Sequence, residues 1–284
     1  MKASGEDGFL AIFFQQFWHI VGDEVTDYCL GILNRGNCIY GAQSAFVQDK
    51  LILDNVLIAY EIFHTFRQKR VGKKGFMELK LDMSKVYDRV EWYFLKVMML
   101  RMGFHTLWVE NIMKCVISVS YSVIINGRSG QTFKPTRGIR QGDPLSPSLF
   151  LMFSEGLSAL IRMALRDGSI KGAKVSRGGL SISHLLFSYD SILFGEASER
   201  GAQVLKSILR EYERCSGQSA NYDKSTVFYS SNTLEESRRV VSNILGVRNS
   251  NNMERYLGLP NVVGKNKKAF FQLLKDRMRQ QIEN

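Results

Sequence analysis

The sequence predicts an α+β fold in which helices cover one face of an antiparallel sheet. Short apolar runs flank tight polar turns, which is typical of antiparallel hairpins. Between these runs apolar residues recur at helical spacing, and from residue 78 to 216 the order is strand, helices, two strands, helix, strands, helix. A chain of 284 residues, 45% of them hydrophobic, can bury a sizeable core.

The first part of the chain is predicted to be mainly helical. A polar lead, residues 1–8, precedes apolar residues at helical spacing over residues 9–33. A second helix is predicted from an N-cap at Asp54 to Arg67. It runs into a basic stretch, residues 67–74, which either contacts phosphate groups or forms a solvated loop.

A strand that ends at Asp82 comes next, followed by two helices. The first helix runs from Glu91 to Met102 and is closed by Gly103. The second begins at an N-cap, Thr106. We interpret both helices as structural elements.

The middle of the chain carries the most specific turn signal and a long apolar helix. In the run YSVIINGRSGQTFKPT the Asn126-Gly127 pair predicts a β-hairpin. A loop rich in glycine and proline then leads to a helix with Ser146 as its N-cap and Pro147 as its first residue. This helix is expected to end before Gly168.

A second hairpin is predicted further along the chain. Two apolar runs, His184–Phe187 and Ile192–Phe194, flank a polar corner that lifts Asp190 to a rim. A helix from Ser198 to Cys215 follows and is stopped by a glycine.

The last elements are a loop, a capped helix and a basic terminal helix. Residues 217–232 supply the loop, which carries Lys224, and a short strand. Thr233 with Glu236 predicts a capping box for the next helix, and the terminal helix begins at about Lys267.

Charge and cysteine usage limit the class of protein. The net charge of +11 and the pI near 9.5 favour a polyanionic partner such as nucleic acid. The four cysteines form no C-x-x-C pair and the four histidines complete no zinc spacing, so we expect no zinc and an intracellular location, nuclear or cytoplasmic. The longest apolar run near the start, Phe9–Phe14, is too short for a signal peptide or a membrane span, so neither secretion nor a membrane partner is expected.

Two carboxylates are the candidate catalytic groups. Asp82 ends one apolar strand and Asp190 lies at the corner of the second hairpin. Carboxylates held at neighbouring strand ends commonly bind magnesium together with substrate phosphates, because Mg²⁺ prefers hard oxygen ligands.

Six blocks in this order resemble the reverse transcriptase domain of plant non-LTR, LINE-type retrotransposons. The resemblance implies a right-hand polymerase with truncated fingers over residues 1–77, a palm over 78–232, and the end of the palm with a partial thumb over 233–284. The blocks are LDMSKVYDRVEW, FLKVMMLRMGF, RGIRQGDPLSPSLF, ISHLLFSYDSILF, SGQSANYDKS and YLGLP.

The resemblance implies an RNA-directed DNA polymerase, a nucleotidyltransferase that acts on an RNA template, a DNA primer and deoxynucleoside triphosphates. Two Mg²⁺ ions are expected, held by Asp82, the carbonyl of Met83 and Asp190. Lys224 is the candidate proton donor to pyrophosphate, with a solvated lysine as the alternative. Leu257 and Gly258 are the candidate primer support.

The same resemblance assigns the nucleotide pocket. The backbone amides of Lys85 and Val86 are expected to hold the triphosphate. Tyr87 is expected to lie under the sugar and exclude a 2′-hydroxyl, although an ordinary core position is the alternative. Gln141 and Gly142 are expected to line the pocket.

The hairpin corner departs from the family pattern. Family members normally read Phe or Tyr, Ala, Asp, Asp there, whereas this chain reads Phe187, Ser188, Tyr189, Asp190. Tyr189 therefore replaces a metal-binding carboxylate with a phenol, which is neutral at pH 7 because its pKa is about 10. Losing a charged ligand should cost at least the roughly 10²–10³ in rate that one oxyanion donor is worth.

A second departure is a deletion, and together the two departures leave three hypotheses. Family members usually carry several dozen residues between the positions of Cys38 and Gln43, so this chain resembles a degenerate, truncated copy. The first hypothesis is a reverse transcriptase domain with impaired catalysis, and the second is a polymerase that is still active. The third is a nucleic-acid-binding protein without catalysis, based on the charge of +11 and the basic segments 67–74, 134–140 and 265–279.

Overall fold

The computed structural model describes residues 52–72, 74–174, 181–187 and 190–250. The helix predicted over residues 9–33 and the basic terminal helix lie outside these ranges, as does the stretch between Cys38 and Gln43.

The helices and strands follow the predicted order closely. The helices are α1 (Ile52–Gln68), α2 (Trp92–Arg101), α3 (Thr106–Ile117), α4 (Ser146–Arg166), α5 (Glu199–Ser216) and α6 (Glu235–Leu245). The strands are β1 (Phe76–Asp82), β2 (Tyr121–Ile125), β3 (Arg128–Phe133), β4 (Ala173–Lys174), β5 (Ser181–Ile182), β6 (His184–Phe187), β7 (Asp190–Glu196), β8 (Thr226–Tyr229) and β9 (Arg248–Asn249).

A five-stranded sheet with the order β6-β7-β1-β8-β9 forms the centre of the described fold. The central strand β1 is antiparallel to both β7 and β8, and β6 and β7 form the second predicted hairpin. The two-residue strand β9 joins β8 in parallel. The predicted antiparallel sheet is therefore confirmed, with one short parallel edge.

One face of this sheet packs on the larger core. Met77, Leu79 and Leu81 alternate along β1 and are fully buried on this face. Helices α2, α4 and α5 cover them with side chains that include Leu95, Met99, Phe153, Leu157, Leu205 and Leu209. Burial of this many apolar side chains is the main stabilising term of the fold.

The opposite face is also covered, so the prediction that helices lie on one face is wrong for α1. The ring of Phe63 lies 4.7 Å from that of Phe228, and the ring of Phe66 meets Phe194 edge to face at 6.5 Å. The reason is that β7 is apolar on both faces: Ile192 and Phe194 belong to this second core while the residue between them belongs to the first.

The glycine stops and one N-cap are confirmed. Gly103 follows α2 with a φ of +91°. Gly217 closes α5 in a left-handed conformation. At the start of α5 the Ser198 side chain accepts a hydrogen bond from the Gly201 amide at 3.2 Å.

The other predicted caps are wrong, by one to three residues. Helix α1 already includes Asp54 as an internal residue. His105 rather than Thr106 is the N-cap of α3. Leu145 rather than Ser146 precedes α4, and no side chain caps it.

The predicted capping box at α6 does not form. The helix begins at Glu235 after Leu234, which makes no side-chain cap. The Thr233 hydroxyl lies 3.1 Å from the Ser230 hydroxyl instead of bonding to the first turn. A cap depends on which residue leaves the helical conformation first, and side-chain type alone does not determine that residue.

Helix α4 is the one helix in the described ranges that is long and apolar enough to cross a membrane. Two thirds (67%) of its most apolar window is buried inside the protein, as in a core helix.

The first predicted hairpin, β2–β3, is confirmed. Asn126 and Gly127 connect its strands with φ values of 50° and 78°, as a type I′ turn requires.

Candidate active site

The structure brings the positions of the two predicted catalytic acids together. Asp82 and Asp190 are direct partners across the antiparallel pair β1–β7. The Asp82 amide donates to the Ser225 hydroxyl at 3.1 Å, and its carbonyl accepts from the Asn221 amide at 2.7 Å. Because both backbone groups of Asp82 point away from β7, this is the closer, non-hydrogen-bonded type of pair, with α-carbons typically about 4.5 Å apart.

Two carboxylate positions at neighbouring strand ends fit a magnesium site. Mg²⁺ is usually held by one or two carboxylates and completes its shell with water and substrate phosphates. Met83 pairs with Ala220 in an isolated bridge whose two hydrogen bonds come from flanking residues, so neither bond uses the Met83 carbonyl. Within the described ranges no cluster of three or more His, Cys, Asp or Glu residues forms a metal cage, so substrate phosphates would have to supply the remaining ligands.

The predicted triphosphate loop directly follows this strand end. Lys85 is exposed and has a φ of 49°, a left-handed conformation that is uncommon for residues other than glycine. The Arg89 amide donates to the Lys85 carbonyl at 3.2 Å and closes the turn. Val86 is buried at 8% exposure and anchors the loop in the core.

Tyr87 lies between its two predicted environments. Its ring stacks on Phe150 at 5.2 Å, and the side chain is partly buried. Burial raises the pKa of the Tyr87 phenol.

The glycine-rich loop before α4 contacts the loop of Tyr87. The Ile139 amide donates to the Tyr87 carbonyl at 2.9 Å, and the Gly138 amide donates to the Val90 carbonyl at 2.8 Å. Gln141 and Gly142 follow on this loop and are both exposed.

Lys224 lies in the turn that binds the backbone of Asp82. Its amide donates to the carbonyl and to the side-chain oxygen of Asn221, at 3.2 Å in each case. The side chain of Lys224 is exposed. The structure therefore brings the turn of Lys224 to the acid pair.

Three predicted site residues, Tyr189, Leu257 and Gly258, lie outside the described ranges. Three others that hold the site together, Gln218, Asn221 and Ser225, were not predicted from the sequence. The block SGQSANYDKS contains all three of them and was the available signal.

A buried acid on β1 was also missed. Glu78 is 2% exposed, and its Oε2 atom has no hydrogen-bond partner among the described residues. Burial raises the pKa of this carboxyl to about 8, against a smaller opposing effect of Lys80. Glu78 alternates with Met77 and Leu79 along β1 and therefore faces the second core under α1.

Part of the predicted basic stretch is paired within the protein. Lys74 lies 3.2 Å from the Glu196 carboxylate, and Lys171 lies 3.8 Å from the other oxygen of the same group. Arg67 and Arg70 in this stretch are exposed.

The model of one protein family matches most of the chain. Residues 25–261 match the reverse transcriptase (RNA-dependent DNA polymerase) family. The match contains the acid pair, the loops around it and the YLGLP block.

Similar curated proteins include retrotransposon polyproteins. The chain is 28% identical over 163 residues to a Pol polyprotein of an R2 retrotransposable element from Nasonia vitripennis, covering 55% of the chain and 14% of that protein. An uncharacterized mitochondrial protein of Arabidopsis thaliana is 48% identical over 68 residues, which are 24% of the chain and 56% of that protein. The chain thus spans only part of the length of these relatives.

Similar solved structures are telomerases. A telomerase from Candida albicans, in complex with a fragment of telomeric RNA, matches with a TM-score of 0.55 and 15% identity, covering 76% of this chain and 35% of that one. An apo telomerase from Candida tropicalis matches with a TM-score of 0.52 and 16% identity over 78% of this chain and 42% of that one. At these identities the likeness shows a shared polymerase palm fold.

The acid pair, the ordered blocks, the palm fold and the family match agree with one another. The chain belongs to the reverse transcriptase (RNA-dependent DNA polymerase) family, as a domain of the type found in the Pol polyproteins of non-LTR retrotransposons.

Proposed function

We propose that the chain is a reverse transcriptase domain with an assembled but weakened site for nucleotidyl transfer. The cross-strand pairing of Asp82 with Asp190 is the observation that carries this proposal. It places two acids that are 108 positions apart in the chain at neighbouring strand ends, as a metal site requires.

The residues around the acid pair have distinct proposed roles. Asp82, the Met83 carbonyl and Asp190 would hold Mg²⁺. When bound, Mg²⁺ acts as a Lewis acid that polarises phosphate oxygens and neutralises developing charge. The amides of Lys85 and Val86 orient the triphosphate at the start of the loop.

The remaining roles concern the sugar and the leaving group. The ring of Tyr87 lies under the sugar of the incoming deoxynucleotide, held in place by its stacking on Phe150. Gln141 and Gly142 line the same pocket from the adjoining loop. Lys224, on the turn that binds Asp82, donates a proton to the leaving pyrophosphate. The RNA template, the DNA primer and the triphosphates are the proposed partners.

Tyr189 is the proposed cause of weak catalysis. A neutral phenol replaces one negative ligand beside Asp190, so less charge opposes the two divalent ions. The loss should lower the extension rate by at least roughly 10²–10³.

Primer extension with paired variants tests this function. We expect the parent protein to extend a DNA primer on RNA at a trace rate or not at all, and Tyr189→Asp to bind magnesium more tightly and recover measurable extension. Tyr189→Asn is the matched control, because it has the size of Asp without the charge. Asp82→Asn in the Tyr189→Asp background should abolish the recovered activity.

Two results would contradict the proposal. Efficient extension by the parent would show that Tyr189 does not impair catalysis. Magnesium affinity that is equal in the parent and Tyr189→Asp would show that residue 189 is not beside the metal site.

A second candidate function is binding of nucleic acid without catalysis. It is favoured by the net charge of +11 and by exposed basic residues between β3 and α4, such as Lys134 and Arg137. This function predicts binding that persists in Asp82→Ala and weakens with salt.

A further inference from the structure

The loop of Lys85 and Val86 has a shape that its own residues do not explain. It lies between the end of β1 and the start of α2, outside the sheet. The left-handed φ of Lys85 is a conformation that persists in proteins where surrounding groups enforce it. The groups that hold Lys85 in this conformation therefore determine the orientation of the Lys85 and Val86 amides.

Residues 216–225, here called the bracing segment, run alongside the loop and hold its backbone. Residues at both ends of the loop and within it form hydrogen bonds to the bracing segment. The backbone bonds run from Glu91 N to Ser216 O (3.2 Å), from Ser84 N to Ser219 O (2.9 Å) and from Asn221 N to Asp82 O (2.7 Å).

The two segments approach each other closely at Gly217. A Cβ atom there would lie 2.8 Å from the Arg89 carbonyl oxygen and 2.6 Å from a side-chain carbon of Glu91. Glycine is therefore required both by this contact and by the left-handed φ of +75°.

Gln218 makes the one side-chain bond from this segment to the middle of the loop that the structure records. Its Nε2 atom donates to the Val86 carbonyl at 2.9 Å, across 132 positions of sequence. The side chain is 3% exposed, and its own amide donates to the Ser216 hydroxyl at 3.2 Å. A flipped side-chain amide would place two acceptors against each other, so this bond fixes the orientation.

The position of this bond in the loop is specific. The bond to Ser84 N fixes the Met83–Ser84 peptide unit, and the bond to Val86 O fixes the Val86–Tyr87 unit. The two peptide units between these anchors contain the amides of Lys85 and Val86, and within the loop itself the Lys85 carbonyl accepts from the Arg89 amide. Without Gln218 the bracing segment holds that stretch on one side only.

The Gln218 side chain is enclosed by residues of the loop and of the core. Gln218 borders a cavity of about 20 Å³ together with Val86, Phe150 and Ser191. Its Oε1 atom is buried and has no hydrogen-bond partner in the described part of the chain. The donor bond to Val86 is thus the polar contact that orients the side-chain amide.

We infer that Gln218 is a positioning residue that fixes the Lys85 and Val86 amides for an incoming deoxynucleoside triphosphate. The inference deepens the proposed function and rests on it for the identity of the ligand. Its structural part, the control of the loop by Gln218, is measurable without catalysis.

Gln218→Met tests the inference, because methionine has nearly the same length and no amide. We expect amide hydrogen exchange to rise about tenfold or more at Ser84 and Ile139. The Ser84 N–H donates to the Ser219 carbonyl, and the Ile139 N–H donates to the Tyr87 carbonyl of the loop. Binding of dATP with magnesium should weaken about tenfold. Gln203→Met is the matched control, since Gln203 is exposed on α5 and bonds to Glu199 of the same helix.

Gln218→Glu provides a second measurement that simple loss of packing would not produce. A protonated glutamic acid can donate to the Val86 carbonyl, whereas a buried carboxylate repels it. Slow exchange and dATP binding should therefore return as the pH falls through the raised pKa of the new carboxyl group. This variant also serves if Gln218→Met does not fold.

The outcomes separate the inference from the function. Exchange at Ser84 and Ile139 that is equal in Gln218→Met, Gln203→Met and the parent overturns the inference. Hydrogen exchange and dATP binding that do not change with pH in Gln218→Glu also overturn the inference. If no form binds dATP but Gln218→Met still accelerates exchange, the proposed function fails and the positioning role of Gln218 is supported.

Discussion

Two acidic residues on one face of β1 have very different electrostatic environments. Asp82 lies at the open end of the strand, whereas Glu78, on the same face, is covered by the second core. Desolvation disfavours the charged form of a carboxylate, so the Glu78 pKa rises to about 8. A carboxylic acid side chain thus supplies a candidate ligand in one place and a neutral core group in the other.

Glu78 gives a prediction about stability and pH. An unfolded chain releases the Glu78 proton near the ordinary pKa of 4.5, whereas the folded protein keeps it to about pH 8. Between these values the unfolded state binds fewer protons, so the free energy of unfolding falls as the pH rises. We expect Glu78→Gln to remove a fall on the order of 2 kcal/mol between pH 5 and 8, measured by urea denaturation.

The control for this measurement is Glu110→Gln, since Glu110 is exposed on α3. That variant should keep the pH dependence of the parent. A Glu78→Gln protein with the parent's dependence would show that Glu78 is ionised in the folded state.

The protonation state of His184 could not be predicted from the sequence. The sequence indicates only that this histidine completes no zinc-binding spacing. The structure shows in addition that the ring is fully buried, between the hydroxyls of Ser183 at 2.9 Å and Ser158 at 3.1 Å. Burial lowers its pKa to about 3, so the ring is neutral at pH 7. That environment comes from a helix 26 positions away and has no local signal.

At the scale of elements, α1 is the main departure from the predicted arrangement. Helical spacing predicted the helix itself, and its existence is confirmed. Its location on the second face follows from apolar side chains on both faces of β7, which require cover on both sides. On that face β1 itself carries the polar residues Glu78 and Lys80, so the apolar cover comes from its neighbour β7.

The second core predicts that α1 is fixed by its aromatic residues. Phe66 is 2% exposed against Phe76 and Phe194. Phe66→Ala should lower the free energy of unfolding by about 3 kcal/mol or more, because it leaves a cavity between helix and sheet. Leu57→Ala, at a position of the same helix that is 54% exposed, should change it by about 0.5 kcal/mol or less.

Denaturant unfolding of both variants measures the difference. Equal effects of the two substitutions would show that α1 does not pack on the sheet in solution.

At the scale of the whole molecule, the charge of +11 predicts a salt-dependent interaction with nucleic acid. Lys134 is exposed beyond β3, next to the loop that contacts Tyr87. We expect Lys134→Gln to reduce the slope of log affinity against log salt by about 1. Lys171→Gln is the control, because Lys171 pairs with Glu196 at the other end of β7 and should leave the slope unchanged.

RNA and DNA binding titrations at several salt concentrations provide this measurement. If both lysine variants reduce the slope equally, the attraction to nucleic acid comes from the overall charge rather than from the surface around Lys134.

The sequence by itself determined the family and most of the elements. Ordered blocks and the apolar periodicity of strands and helices are local properties, so the two hairpins and the meeting of Asp82 with Asp190 followed from them. Only the tertiary structure decided how the site is held. The bond from Gln218 to Val86 and the packing of α1 join residues more than a hundred positions apart, and such contacts depend on how elements pack rather than on neighbouring residues in the chain.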